Sequence, residues 1–195
     1  MDSVVIIQAR TSSTRLPGKV LLPISSIPIV ILAAKRAANT GKEIIIVTSN
    51  EETDDALCIE LNKNRTRHFR GDLNNVLKRF SSSVKDLDED TIVFRLTADN
   101  VFPDGDLLDE LEQEFIQLGV EYLVCNGVNS GLPYGVSVEV TRVKYIREAE
   151  VKSELDDDLE HVTPYIRRKY GENYYKNYKN LNLGSYRATI DTFED

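Results

Sequence analysis

Cysteine is nearly absent from this chain of 195 residues, with only Cys58 and Cys125 present. Neither their number nor their spacing suits a zinc site or the disulfide framework of a small secreted scaffold. A cationic excess is missing too. Lys and Arg total 24 against 32 Asp and Glu, a formal charge of −8. That balance argues against a nucleic-acid partner, because a phosphate backbone demands a basic face. There is no long apolar run: Val20 to Ala34 is interrupted by Pro23, Ser25, Ser26 and Pro28 and is too short to span a bilayer. The opening Met1-Asp2 puts no basic stretch ahead of an apolar one, so no secretory leader is expected. Neither G-x-G-x-x-G nor G-x-x-x-x-G-K-[ST] occurs, which counts against a NAD-linked dehydrogenase and a P-loop kinase. No internal repeat is visible. A cytoplasmic protein that neither spans nor coats a membrane is expected.

What is present is enough for one globular domain over 1–195. The hydrophobic fraction is 41%, and a chain of this size can bury roughly 70% of its unfolded surface. Val4 to Ile7 is apolar on both faces, as a central strand of a parallel sheet must be. A helix is expected over 28–39, with Pro28 at its start and Gly41 as its stop. Glu43 to Thr48 repeats the buried-strand pattern, and Asn50 is placed to cap the helix that follows. Leu73, Val76, Leu77, Phe80 and Val84 mark an amphipathic helix, as do Leu107, Leu108, Leu111, Phe115 and Leu118. Strands are expected at Thr91 to Leu96, Tyr122 to Cys125, Val136 to Val140 and Tyr186 to Ile190. The acidic runs Asp86 to Asp90 and Glu154 to Glu160 read as solvated helix ends. The tyrosine-rich Tyr170 to Asn180 suits an edge strand or a dimer contact, with nothing to choose between them. This alternation of strands and helices predicts a three-layer α/β fold with a mainly parallel mixed sheet.

Ligands in such sheets bind at the carboxyl ends of the strands, where loop amides and helix N-termini converge. The first strand runs straight into Gln8-Ala9-Arg10-Thr11-Ser12-Ser13-Thr14-Arg15-Leu16-Pro17-Gly18-Lys19. Arg10, Arg15 and Lys19 can converge on a triphosphate, with the hydroxyls and loop amides as neutral donors. Pro17-Gly18 would turn the chain so that Lys19 points back. A solvated basic loop is the plainer alternative, weakened by the acidity of the rest of the chain. Leu96-Thr97-Ala98-Asp99 places an Asp where a divalent cation would sit, or where a turn is merely capped. Asp191 is its natural partner, since magnesium usually takes one or two carboxylates and completes its octahedron with phosphate and water; a terminal turn residue is the plainer reading of it.

The loop A-R-T-S-S-T-R-L-P-G-K resembles that of the cytidylyltransferases that make CMP-activated acidic sugars. The likeness is to the spore-coat polysaccharide type, related to CMP-Kdo and CMP-sialate synthetases. V-T-S-N-E-E-T-D-D (47–55), R-G-D (70–72), L-T-A-D (96–99), P-Y-G-V-S-V-E-V (133–140), E-H-V-T-P-Y-I (160–166) and I-D-T-F-E-D (190–195) follow in order. The resemblance implies a Rossmann-like fold of the nucleotide-diphospho-sugar transferase type. It implies transfer of CMP from CTP to a sugar acid, or a phosphonate-like acceptor, with release of pyrophosphate, and a homodimer. It further implies nucleotide binding by Ala9, Arg10, Ser13, Arg15, Lys19, Arg70, Gly71 and Asp72. Arg10, Arg15 and Lys19 would be catalytic, and Asp99 and Asp191 would hold Mg2+. The acceptor would meet Tyr134, Gly135, Glu139, His161 and Tyr165. Arg142, Arg167 and Arg168 are candidate cations for an acidic acceptor.

His161 and Tyr165 share a face only if a helix runs through Pro164; a break with Thr163 capping a new helix is the other possibility. Two departures stand out. Asn100-Val101-Phe102-Pro103 displaces a proline that usually follows the metal Asp, and Phe193 stands where the family's last motif has proline. With the chain stopping at Asp195, a truncated or fused member is open. So is a non-catalytic scaffold domain. A sugar-1-phosphate nucleotidyltransferase using another NTP would carry a G-x-G-T-R loop, which is lacking.

Overall fold

The computed structural model describes residues 2–195. Its first strand, β1 (Ser3–Gln8), is buried on both faces, as its β-branched run requires. A two-strand ribbon, β2 (Pro23–Ile24) and β3 (Ile27–Pro28), leads into α1 (Ile29–Ala37). There follow β4 (Glu43–Ser49), α2 (Asp55–Lys63), β5 (His68–Gly71), α3 (Val76–Ser83), β6 (Ile92–Thr97) and α4 (Gly105–Leu118). The remainder comprises β7 (Leu123–Cys125), a short α5 (Gly127–Ser130), β8 (Val138–Arg142), α6 (Val143–Lys152), α7 (Asp156–His161), α8 (Pro164–Tyr170) and β9 (Asn173–Tyr174).

Seven strands form one sheet in the order β5-β4-β1-β6-β8-β7-β9. The pairs β5–β4, β4–β1, β1–β6 and β7–β9 are parallel; β8 runs antiparallel to both β6 and β7. The mainly parallel mixed sheet is thus as expected. Alternation along β1 divides the core. Val5 and Ile7 pack with residues of α1, α2 and α4 on one face, and Val4 and Ile6 with residues of α3, α6 and α8 on the other. Each fully buried Val, Leu, Ile or Phe contributes roughly 1.5–3 kcal/mol, so the three layers are held by apolar burial. The chain leaves β1 toward β4 and β5 and returns on its other side with β6. The crevice of this switch point opens at the carboxyl ends of β1 and β6. No helix among the described residues is long and apolar enough to cross a membrane.

Three local expectations need correction, and one open alternative is decided in part. Asn50 caps no helix: its N–H donates to Gly71 O, and a 3-10 turn over Glu52–Asp54 opens the helical segment instead. Tyr186 to Ile190 is no strand but makes a single bridge, Tyr134 to Arg187. The acidic run at 154–160 is not wholly solvated, because Asp158 is buried and takes both forks of the Arg168 guanidinium at 2.7 Å. The tyrosine-rich stretch does supply an edge strand, β9, and it buries Tyr175 against α4, where the hydroxyl donates to Glu110.

Candidate active site

The loop after β1 is held at both ends. Ala98 N–H donates to Gln8 O and Ala9 N–H to Val47 O, which fixes the exit of β1 between its two neighbours. Further on, Gly18 N–H donates to Thr11 O at 2.7 Å and closes the loop. Gly18 has φ 72, a left-handed conformation that glycine adopts without penalty, and it turns Lys19 inward.

Lys19 is buried, and its ammonium lies 2.5 Å from Asp99 Oδ2 and 2.8 Å from Asp191 Oδ1. Arg15 reaches the same Asp191 oxygen at 3.0 Å from a largely exposed position. Thr97 Oγ1 donates to the other Asp99 oxygen at 2.6 Å. Burial pushes the Asp191 carboxyl up, but Lys19, Arg15 and Arg187 outweigh it and hold it below its ordinary range. These side chains, with Gln8, Ala9, Arg10 and Ser13, line a cleft of about 260 Å³ at the switch point. The loop cations and both carboxylates therefore meet at one place, although 172 residues separate Lys19 from Asp191.

Among the described residues no group of three or more His, Cys, Asp or Glu forms a ready-made metal cage. Two carboxylate oxygens nevertheless converge on a single cationic point, which the Lys19 ammonium fills. Hard oxygen donors in that number suit magnesium, which draws its remaining ligands from phosphate and water. The donor set fits the ion.

A second cleft adjoins the first through Gln8 and Arg10. Asp72, Asn74 and Asn75 bound it on one side, and Asp156 and Glu160 on the other. Of the R-G-D segment only Asp72 lines it. Its Oδ1 accepts from the N–H groups of Asn74 and Asn75 and shapes the turn. Arg70 turns away, bonding Ser49 O, Glu51 O and Asp55. Gly71 leaves room for Arg79, whose Cγ would lie 2.9 Å from a Cβ at that position. Arg79 is fully buried beneath the turn and donates to Asp72 O at 2.6 Å; desolvation, with Arg10 nearby, lowers its pKa to about 10.

The five expected acceptor residues do not form one group. Tyr134 and Gly135 lie against the segment carrying Asp191, through Tyr134 N–H to Tyr186 O and Ala188 N–H to Tyr134 O. Gly135, at φ 98, is pressed so close that a Cβ would sit 2.7 Å from that of Thr189. Ile190 N–H then donates to Asp99 O, which brings the two carboxylates together. Glu139, in contrast, is committed inside the protein. It pairs with Arg95 and accepts from Tyr122 OH at 2.7 Å and Thr163 Oγ1 at 2.9 Å.

α7 breaks before Pro164, and Val162 at φ 72 makes the turn. A β-branched residue there costs of order 1–3 kcal/mol, offset by burying Val162 and by the Thr163 bond to Glu139. His161 is therefore exposed beside Asp157 in a separate depression, while Tyr165 OH donates to Glu148. The three candidate cations are occupied elsewhere: Arg142 on Asp90 O, Arg167 on Glu172 and Arg168 on Asp158.

Pattern reading missed Gln8, which lines both clefts, and Asp54. Asp54 is fully buried and accepts from Thr11, Thr48 and Ser49. The V-T-S-N-E-E-T-D-D motif was its signal, but a carboxylate folding back onto the preceding strand has no pattern of its own.

A model of the cytidylyltransferase family matches residues 4–195. The chain is 36% identical over 204 residues to spore coat polysaccharide biosynthesis protein SpsF of Bacillus subtilis (strain 168), covering 100% of this chain and 83% of that protein. A solved cytidylyltransferase from Leptospira borgpetersenii serovar Hardjo-bovis superposes with a TM-score of 0.89 at 30% identity, over 100% of this chain and 83% of that one. A CMP:2-keto-3-deoxy-manno-octonic acid synthetase solved with CTP shares the fold. Its TM-score is 0.66 at 14% identity, with 98% of this chain and 94% of that one covered.

Proposed function

Because the chain belongs to the cytidylyltransferase family, we propose that it transfers CMP from CTP to a sugar acid, with release of pyrophosphate, in making a surface polysaccharide. The observation that carries this reading is the Lys19 ammonium held between Asp99 and Asp191 on the floor of a cleft shared with Arg10 and Arg15. Three cations gathered around two carboxylates in an otherwise acidic protein suit a polyphosphate and its counter-ion, which supports this reading.

In this reading Arg10, Arg15 and Lys19 bind the phosphate chain and neutralise the charge that grows on the departing pyrophosphate. Asp99 and Asp191 would hold Mg2+, which when bound polarises phosphoryl oxygens as a Lewis acid. Tyr134 and Gly135, clamping the segment before it, and the Ile190 N–H to Asp99 O bond hold Asp191 in that position. The acceptor oxygen forms a bond to the α-phosphorus as the bond to pyrophosphate breaks in line with it. The second cleft, walled by the 72–75 turn, takes the nucleoside. The protein's contribution is position and electrostatics, with no covalent intermediate required.

The test is thermal stabilisation by CTP, UTP, ATP and GTP, each with and without Mg2+, in the wild type and in Asp99→Asn. A ligand of the folded state at a hundred times its Kd adds about 2.7 kcal/mol. The expected result is a shift for CTP with Mg2+ that the variant loses, followed by pyrophosphate release in an acceptor screen. A larger shift for another nucleotide would overturn the assignment.

A further inference from the structure

We infer that Asp54 is the positioning residue of the triphosphate loop: acting through Thr11, its carboxylate sets the reach of Arg10, Arg15 and Lys19 toward the nucleotide. The inference rests on the reading of that loop as the CTP site. It concerns a residue that neither the loop nor the metal pair contains.

The two Asp54 oxygens serve two different elements. Oδ2 accepts from Thr48 Oγ1 at 2.9 Å, from Ser49 N–H at 3.1 Å and from Ser49 Oγ, and so ties the turn to the end of β4. Oδ1 crosses to the loop and accepts from Thr11 N–H and Thr11 Oγ1, both at 2.7 Å. Thr11 also meets Thr53 O at 2.8 Å. A carboxylate needed only to stop α2 from fraying would have no reason to grip a residue 43 positions earlier in the chain.

From Thr11 the bonds continue. Its carbonyl receives Gly18 N–H, and Gly18 turns directly into Lys19. Arg10 and Arg15 lie on either side of this anchor. The one buried side chain between Thr11 and Gly18 is Leu16. The loop thus has one apolar peg and one polar peg, and Asp54 is the root of the polar one. An amide in its place would turn an N–H toward groups that are themselves donors.

The experiment uses the full chain with Asp54→Asn, Thr11→Val and Thr48→Val, plus the double variant Asp54→Asn/Thr11→Val. Two quantities are read: hydrogen exchange of residues 10–19 without nucleotide, and the Kd of CTP with Mg2+. Hydrogen bonds to a charged group predict about a 10- to 100-fold weaker Kd for Asp54→Asn, with a smaller loss for Thr11→Val. Both variants should exchange faster in the loop, and the double variant should be no weaker than Asp54→Asn alone, since the two residues act as one unit. Thr48→Val, cut on the strand side only, should lower Tm and leave Kd within about twofold.

A folded Asp54→Asn with unchanged loop exchange or unchanged Kd overturns the inference. So does a Kd loss that tracks Tm equally in all variants. Should Asp54→Asn not fold, Thr11→Val decides on the same two readouts. Absence of CTP binding by the wild type sinks the CTP reading instead, and loop exchange alone then judges Asp54.

Discussion

Two largely buried charge clusters flank the same strand, β6, and differ in what they leave open to solvent. Arg95 projects from the strand to Glu139 on β8, and Glu139 spends its oxygens on Arg95, Tyr122 and Thr163. At the carboxyl end of β6, Lys19 joins Asp99 and Asp191, yet both carboxylates line a cleft and Arg15 stands beside them half in solvent. The first cluster fastens β6, β8 and the break between α7 and α8; the second is open to a ligand. A buried charge pair is therefore no mark of a site by itself. What separates the two is access: the oxygens of both are partnered, but only those of Asp99 and Asp191 line a cleft.

Removing Glu139 should produce the largest effect on the folded state. Glu139→Leu leaves the largely buried Arg95 without its carboxylate, with only a long bond to Gln8, a loss of about 3 kcal/mol. Chemical denaturation would measure it, and Arg95→Met/Glu139→Leu should recover part of it. Turnover per folded molecule should change little; a collapse in turnover without loss of stability would erase the distinction between the clusters.

Asp99→Asn should do the reverse. Turnover of CTP should fall at least about 100-fold, equivalent to about 2.7 kcal/mol on the barrier, with a smaller shift in the denaturation midpoint than Glu139→Leu gives. Steady-state pyrophosphate release checks the first number and a urea titration the second.

Acid titration sharpens the contrast further. Burial pushes Glu139 up, but Arg95, Tyr122 and Thr163 outweigh it, so its pKa lies below the ordinary 4.5. A depressed carboxylate lends stability that is fully present above its unfolded pKa and is lost as pH falls through the folded one. Each unit of depression is worth about 1.4 kcal/mol. Stability should thus fall more steeply below pH 4.5 in the wild type than in Glu139→Gln, as measured by denaturation across that range. Equal slopes would show that the Glu139 carboxylate is not stabilised by its neighbours.

The smallest effect belongs to His161. Exposed beside Asp157 and away from both clefts, its replacement by Ala should shift stability by no more than about 0.5 kcal/mol. Turnover should be unchanged; a tenfold loss would bring the acceptor back to this face.

The layers were legible because periodicity is a local signal. Val4 to Ile7 could be apolar on both faces only in the middle of a covered sheet, and that is where β1 lies. The loop cations were legible for a similar reason, being dense, contiguous and attached to that strand. Glu139 was not, since alternation along β8 gives a side chain's face but not its partners. His161 and Tyr165 turned on a single torsion at Val162, which no pattern encodes. Arg79 lay inside a recognised amphipathic helix, and its reach to Asp72 O is a matter of packing alone.

The pair Lys19–Asp191 has a consequence in time as well as in space. Lys19 is made 172 residues before Asp191, and with synthesis at roughly 5–20 residues per second the first strand, its loop and Lys19 wait several seconds or more for it. β1 itself cannot be flanked until β4 and β6 have both been made. Through that interval the loop can meet Asp54 and then Asp99 but not its second cleft carboxylate, so the pairing of Lys19 with both waits for Asp191. A ribosome stalled before residue 191 would carry Lys19 and Asp99 without the second carboxylate of their cleft.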